Sequence, residues 1–356
     1  MYYSQSARLA IYAEGEFGKG HSKTAEGVIR YGKNPVVAVI DSTESGKTVE
    51  QVTGIQCQAP IVSSVEGALL YKPDALLLGT AWSGGEIPPQ WRPDIIKALT
   101  SGLDIINGLH DFLADDLEIS HFADIHKRRL LDVRRTPERL PIASGKAASV
   151  PATTILTVGS DCTVGKMTTA LELARAAENA GFRAAFVATG QTGIMIAGEG
   201  IAIDRVIGDF MAGATEQMVL DKGFDHDFVF VEGQGSIAHP GFSGVTLALL
   251  HGACPQAMIL CHKSSRKTIR ETPFAILKLS QLIRLYEDVA QVIRKAHVVG
   301  IALNTSDMTE SEALHEIESA EEETGLKVTD PVRFGPEKLF AAILAHREKS
   351  LDRATF

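Results

Sequence analysis

No uninterrupted apolar run in the sequence reaches the roughly 18–20 residues needed to cross a bilayer, so neither a membrane span nor a membrane partner is expected. Positive charge is also short. A net charge of −9 over 356 residues argues against a nucleic-acid partner, because such proteins present a basic face that neutralises phosphates. Cys57, Cys162, Cys254 and Cys261 are the only cysteines and form no C-x-x-C pair, and no metal centre is expected. The opening stretch "MYYSQSARLAIYAEGEFG" has neither a secretory apolar core nor a cleavage signature, which makes the cytoplasm the expected compartment. Repeats and low-complexity tracts are missing as well. What remains, at 45% apolar and 22% charged residues, is the composition of an ordinary folded chain without disorder.

The length allows two cores, since domains usually hold about 100–200 residues. In the first third, "RLAIYA", "VVAVID", "ALLLGT" and "LDIINGL" read as buried parallel strands alternating with helices. A Rossmann-like domain is therefore expected over residues 1–140. Between Arg134 and Thr154 the chain loses apolar periodicity and gains Pro, Gly, Ser and Ala, the signature of a linker. A second α/β domain, with a mainly parallel sheet, is expected over 150–356. Its strands are "TTILTVG", "RAAFVATG", "DFVFVEGQG", "QAMILCHK" and "HVVGIALN", spaced for crossover helices. The acidic segment "ESEALHEIESAEEETG" reads as a solvated amphipathic helix.

Two glycine-rich stretches of the first domain imitate nucleotide motifs. "AEGEFGKGHSKTAEG" follows a strand, with Asp41 about twenty residues beyond Gly20, but G-x-G-x-x-G is not in register. "DSTESGKT" ends in Gly-Lys-Thr but lacks the leading glycine that lets a chain wrap a phosphate. A polar turn is the better reading of the second.

The stretch "TVGSDCTVGKMTT" at 157–169 is different, because a strand precedes it and a helix follows. Its amides and the helix N-terminus offer partial positive charge and Lys166 a full one, so Gly159, Ser160, Asp161, Cys162, Thr163, Val164, Gly165, Lys166, Met167 and Thr168 are the expected cofactor-binding loop. In a P-loop ATPase the hydroxyl after the lysine holds magnesium. Met167 has none, and Thr168 is turned by about 100° around the helix. The loop thus keeps what binds a diphosphate and weakens what supports hydrolysis. Coenzyme A carries such a diphosphate as a handle, with its thioester far away.

Further candidates lie at predicted strand ends. Glu232, His239 and His262 are candidate catalytic groups, each weighed against a purely structural role. Gln191 and Thr192 of "GQTG", with Arg266 and Arg270 of "CHKSSRKTIR", are candidate substrate contacts, because guanidinium grips carboxylates bidentately. A solvated basic turn is the competing reading of the arginines. Asn304 closes "VVGIALN", where related P-loop proteins recognise adenine.

The loop, with five residues between its glycines, resembles that of dethiobiotin synthetase. Taken together, "GSDCTVGKMTTALELA", "GQTGIMI", "VEGQGSIAHP" and "CHKSSR", behind a domain containing "NGLHDFLADD", resemble the DgcN-type D-glutamate N-acetyltransferase family, two-domain P-loop proteins long of unknown function. The resemblance spans nearly the whole chain. It implies acetyl-CoA as donor, D-glutamate or a similar D-amino acid as the small-molecule acceptor, and a place in D-amino-acid catabolism. A homo-oligomer is expected. The competing readings are an ATP- and magnesium-dependent ligase or kinase, and a nucleotide- or acyl-CoA-binding protein without turnover.

Overall fold

A computed structural model describes residues 3–81 and 85–354. The chain divides into two compact units, one formed by residues 1–136 with 190–205, the other by 137–189 with 206–356. Residues 190–205, read from the sequence as part of the second domain, belong with the first. Among the described residues no helix is long and apolar enough to cross a membrane.

The first unit is built on strands β1 (Leu9–Tyr12), β2 (Val36–Ile40), β3 (Ile61–Val62), β4 (Ala75–Leu78), β5 (Asp104–Asn107) and β6 (Leu130–Asp132). They form one parallel sheet in the order β3-β2-β1-β4-β5-β6, the doubly wound Rossmann-like order. Helices α1 (Lys23–Tyr31), α2 (Val49–Thr53), α3 (Val65–Leu69), α4 (Arg92–Thr100) and α5 (Leu117–His126) connect them. Continuous apolar runs fit strands buried on both faces, and Leu9, Ile11, Leu76, Leu77 and Leu78 are fully buried. The short edge strands β3 and β6 have too few residues to show a pattern and were not expected.

Both glycine-rich imitations in this unit are internally tied. Asp41 accepts the Phe17 N–H at 2.9 Å and the Thr43 N–H and hydroxyl at 2.8 and 2.7 Å. A carboxylate so placed would otherwise face a ribose; here it fastens the loop after β1 to the loop after β2. In "DSTESGKT", Thr48 begins α2 through a reciprocal capping box with Gln51, so the segment is a polar turn into a helix.

The second unit carries β7 (Thr153–Gly159), β8 (Ala184–Val187), β9 (Phe228–Val231), β10 (Ala257–Lys263), β11 (His297–Asn304) and β12 (Lys327–Thr329), parallel in the order β12-β11-β10-β7-β9-β8. Its helices are α6 (Lys166–Asn179), α8 (Gly208–Gly223), α9 (Ser243–Ala253), α10 (Leu279–Ala290), α11 (Glu310–Thr324) and α12 (Glu337–Ala354), while α7 (Gln191–Ala197) lies in the first unit. Helix α6 buries Leu171, Leu173, Ala174, Ala176 and Ala177, the apolar stripe expected of it, and Gly181 follows its end at φ +86°. The acidic helix α11 starts on a Thr309–Glu312 capping box and buries only Ala313, Ile317 and Ala320.

Helix α8 shows how glycine sets close packing within the second unit. A methyl group at Gly213 would come to 1.8 Å from the Pro141 carbonyl oxygen, whereas one at Gly208, in the same helix, would meet nothing within 4 Å. Gly213→Ala should therefore lower stability by about 1–3 kcal/mol through overpacking. Gly208→Ala should be neutral or raise it by up to about 1 kcal/mol by helix propensity. Urea unfolding midpoints compare the two, and equal midpoints would refute the packing argument.

Candidate functional site

Beyond the end of β7 the chain turns through residues 160–165 into α6. Gly165 sits at φ +107° with open space where a side chain would stand, a conformation that favours glycine. The amide N–H groups of Gly165, Met167 and Thr168 make no hydrogen bond among the described residues, as the first turn of any helix requires. They are available to an anion. Lys166 is buried and donates from Nζ to the Asp161 carbonyl at 2.7 Å. Its stem runs between two glycines: a methyl at Gly159 would stand 3.1 Å, and one at Gly233 also 3.1 Å, from Lys166 Cδ. The ammonium is thereby held inside the turn.

Asp161 holds the loop's shape from within. Its carboxylate is fully buried; Oδ1 accepts the Cys162 N–H at 2.7 Å, and Oδ2 accepts Arg266 Nη1 at 2.9 Å and the Arg270 N–H at 2.8 Å. Arg266 also donates to the Cys162 carbonyl and to Thr163 Oγ1. A buried carboxylate is tolerable only when paired and fully hydrogen-bonded, and this one is. Arg266 and Arg270, expected to grip an acceptor's carboxylates, are thus found on the P-loop: the first by its guanidinium, the second by its backbone, with its side chain 3.2 Å from Glu271.

The three candidate acid–base groups are each engaged. Glu232, just past β9, accepts the Thr189 N–H at 3.0 Å through Oε2, and its carbonyl accepts the Thr189 hydroxyl at 2.7 Å. Next to it, the Gly233 N–H donates to Thr157 Oγ1 at 3.0 Å, and a methyl at Gly233 would come to 1.7 Å from the Thr157 carbonyl oxygen. His239 Nδ1 accepts the Gly241 N–H at 3.0 Å, so Nε2 carries the ring proton and donates to the Arg270 carbonyl at 3.2 Å. Both ring nitrogens of His239 are thus hydrogen-bonded in this arrangement. His262 Nδ1 lies 2.8 Å from Ser160 Oγ, and burial, helped by Lys267 and Arg266, pushes its imidazole down to about 4. It is neutral at pH 7 and positions Ser160.

Other expected residues fall in different places. Met167 is buried and Thr168 half-buried, so the position after the lysine is part of the core. Asn304 Oδ1 accepts the Ser306 N–H at 3.2 Å and shapes the turn after β11. Gln191 and Thr192 lie in the first unit, where Thr192 Oγ1 meets Thr24 Oγ1 at 2.9 Å and a methyl at Gly108 would approach Gln191 Cβ to 3.2 Å. Ligand atoms of Asp161, Cys162 and His239 lie within 4.8 Å of one another. Asp161 and His239 meanwhile serve the hydrogen bonds described.

Sequence reasoning missed Tyr286. Fully buried in α10, its hydroxyl donates to the Gly159 carbonyl at 2.7 Å and accepts the Ile237 N–H at 3.1 Å. It fastens the first glycine of the P-loop to the loop after β9. In the sequence it is one more apolar-face residue of an amphipathic helix, and nothing there marks its hydroxyl.

Residues 141–340 match the family described as "Domain of unknown function (DUF1611_C) P-loop domain", and residues 42–136 its companion, a Rossmann-like domain. The chain is 40% identical to a D-glutamate N-acetyltransferase of Tritonibacter scottomollicae, over 76% of this chain and 81% of that one. A protein of the same name from a Pseudoalteromonas species is 38% identical over 74% of this chain and 80% of its own length. The crystal structure of a DUF1611 family protein from Anabaena variabilis superposes with a TM-score of 0.92 at 42% identity, covering 96% of this chain and all of the other.

Tyr286→Phe leaves the Ile237 N–H and the Gly159 carbonyl without their buried partner and should cost about 1–3 kcal/mol; an unchanged urea midpoint would refute the clamp. His262 gives a pH signature. Its folded value near 4 lies below the ordinary 6.5, so the unfolded chain binds more protons between these limits and stability must fall as pH drops from 6.5 towards 4. His262→Asn should lose less stability across that window, as followed by urea midpoints at each pH.

Proposed function

The chain belongs to the DUF1611 family of two-domain proteins, and from that membership, the activity of its curated relatives and the geometry of its P-loop, we propose that it is an N-acetyltransferase acting on the amine of D-glutamate. Acetyl-CoA is the donor in this reading, and the P-loop holds its diphosphate. The observation that carries the second part is the pairing of an intact anion cradle with a buried methionine. Lys166 and the amides of Gly165, Met167 and Thr168, unpaired among the described residues, suit two linked phosphates. Met167 is packed into the core where a triphosphate-cleaving site has a metal-holding hydroxyl.

Bound acetyl-CoA would supply an acyl group activated as a thioester. The chain's part is to anchor the nucleotide end, so that binding energy spent far from the reacting carbonyl orients it. Lys166 supplies charge, and Gly159 and Gly233 keep its stem in line. Asp161, Arg266 and Tyr286 hold the loop so that its amides converge. The acceptor amine enters as an ammonium ion and must lose a proton to a base. His239 has no free nitrogen, and His262, held near 4, is a weak base at neutral pH.

The test combines a thiol-release assay with product identification. Acetyl-CoA and D-glutamate should yield free thiol and N-acetyl-D-glutamate, with EDTA present and without ATP. Lys166→Ala should raise KM for acetyl-CoA about tenfold or more, as expected for losing a charge-assisted phosphate contact, with a smaller effect on kcat. Thiol release that needs ATP and magnesium, or a KM for acetyl-CoA indifferent to Lys166, would overturn the donor assignment.

A further inference from the structure

The loop that follows β5 in the first unit, 108–112 within "NGLHDFLADD", has no role in the P-loop site, yet its side chains are arranged as a built site. Asn107 anchors it: Nδ2 donates to the Asp111 carbonyl and to Asp132 Oδ1, both at 2.7 Å, and Oδ1 accepts the Leu109 N–H at 2.9 Å. The Asp111 carboxylate accepts the Ile87 N–H at 2.8 Å. At its centre stands His110, half-buried, whose backbone N–H donates to the Gly85 carbonyl at 2.8 Å. Gly85 is at φ +60°, and a methyl there would lie 2.4 Å from His110 Cδ2. The ring is thus seated on a glycine. Among the described residues neither ring nitrogen has a hydrogen-bond partner, in contrast to His239.

Two guanidinium groups flank this imidazole. Arg134, itself buried, donates from Nε to the Gly108 carbonyl at 2.8 Å and pairs through Nη1 with Asp204 at 2.5 Å, leaving Nη2 without a hydrogen bond among the described residues. Arg205 lies with its guanidinium carbon 4.9 Å from the centre of the Phe112 ring, and its guanidinium has no ion pair or hydrogen bond among the described residues. Arg135, over the same ring at 4.6 Å, is paired with Asp115 at 2.6 Å and is thereby spent. Around this loop, two guanidinium edges and one imidazole without hydrogen-bond partners among the described residues suit a small molecule with two carboxylates and an amine, because guanidinium is the planar donor for carboxylate.

Resting on the acetyl-transfer reading above, we propose that the loop 108–112 with Arg134 and Arg205 is the acceptor's carboxylate site and that His110 is the general base for its amine. In the transfer an N–C bond forms as the thioester C–S bond breaks. The acceptor ammonium gives up two protons in all: His110 takes one and passes it to solvent, and the other ends on the departing thiol sulfur. The groups facing the ring are Arg134, Arg205, Asp204 and Asp111. Burial, with Arg134 and Arg205, outweighs the two carboxylates and holds the imidazole below its ordinary 6.5, so it is the neutral, proton-accepting form that meets the substrate at pH 7.

The test uses the full chain, steady-state kinetics with acetyl-CoA and D-glutamate, and calorimetric titration with D-glutamate. Arg205→Ala, at an exposed position, should raise KM and Kd for D-glutamate about tenfold or more while KM for acetyl-CoA stays within about twofold; Arg205→Lys should recover part of the loss. His110→Asn should lower kcat by about a hundredfold, the lower end of what a general base contributes. It should also remove the limb of kcat/KM against pH that falls below pH 6.5. If the wild type acetylates D-glutamate but Arg205→Ala keeps its KM and His110→Asn keeps its pH limb, the acceptor site is wrong and the acetyl-transfer reading stands. If the wild type releases no thiol with D-glutamate, that reading fails and the acceptor site falls with it.

Discussion

The carboxylate of Asp161 is the constraint on which the P-loop depends. Fully buried inside the turn, it would be costly as an isolated charge, and its cost is offset only because Arg266 and the N–H groups of Cys162 and Arg270 converge on it. Those contacts join the turn after β7 to the segment after β10, so that the loop's outward amides hold one shape. The carbonyl of the same residue receives the Lys166 ammonium. One residue thus positions both the basic segment and the lysine.

Around that centre, small residues and single hydroxyls carry the rest. Gly233 lets the chain pass Thr157 at a distance no side chain would permit, and the Thr157 hydroxyl receives its amide. Tyr286 performs the equivalent task between Gly159 and Ile237. Both histidines of this unit's candidate site are engaged: His239 has both nitrogens bonded and His262 is held uncharged beside Ser160. The opposite condition, a seated imidazole with neither nitrogen bonded among the described residues, occurs at His110 in the other unit.

Much of the architecture is legible along the chain. Runs such as "VVAVID" and "QAMILCHK" are long enough and apolar enough to declare buried parallel strands, and each is found as one. Edge strands of two or three residues, Ile61–Val62, Leu130–Asp132 and Lys327–Thr329, carry no periodicity and stay hidden. The P-loop was legible for a different reason, since strand, glycine turn, lysine and helix are contiguous. The partner of Arg266 was hidden because a basic turn looks the same in sequence whether it faces a ligand or a buried aspartate. Tyr286 was invisible because an amphipathic helix spends most of its aromatics on packing.

By itself the order of residues determined what is local: two α/β units, a P-loop turn at 159–168, and a methionine where a metal-holding hydroxyl usually stands. These follow from near-neighbour sterics, backbone polarity and hydrophobic period, which need no distant partner. Only the tertiary structure decided which charges are spent and which are free. It brought Arg266 to Asp161, 105 residues away, and Arg134 to Asp204, 70 residues away, and it moved "GQTG" into the first unit against Thr24. Whether a guanidinium or an imidazole is available for chemistry depends on what else lies within about 3 Å of it, and folding alone sets that.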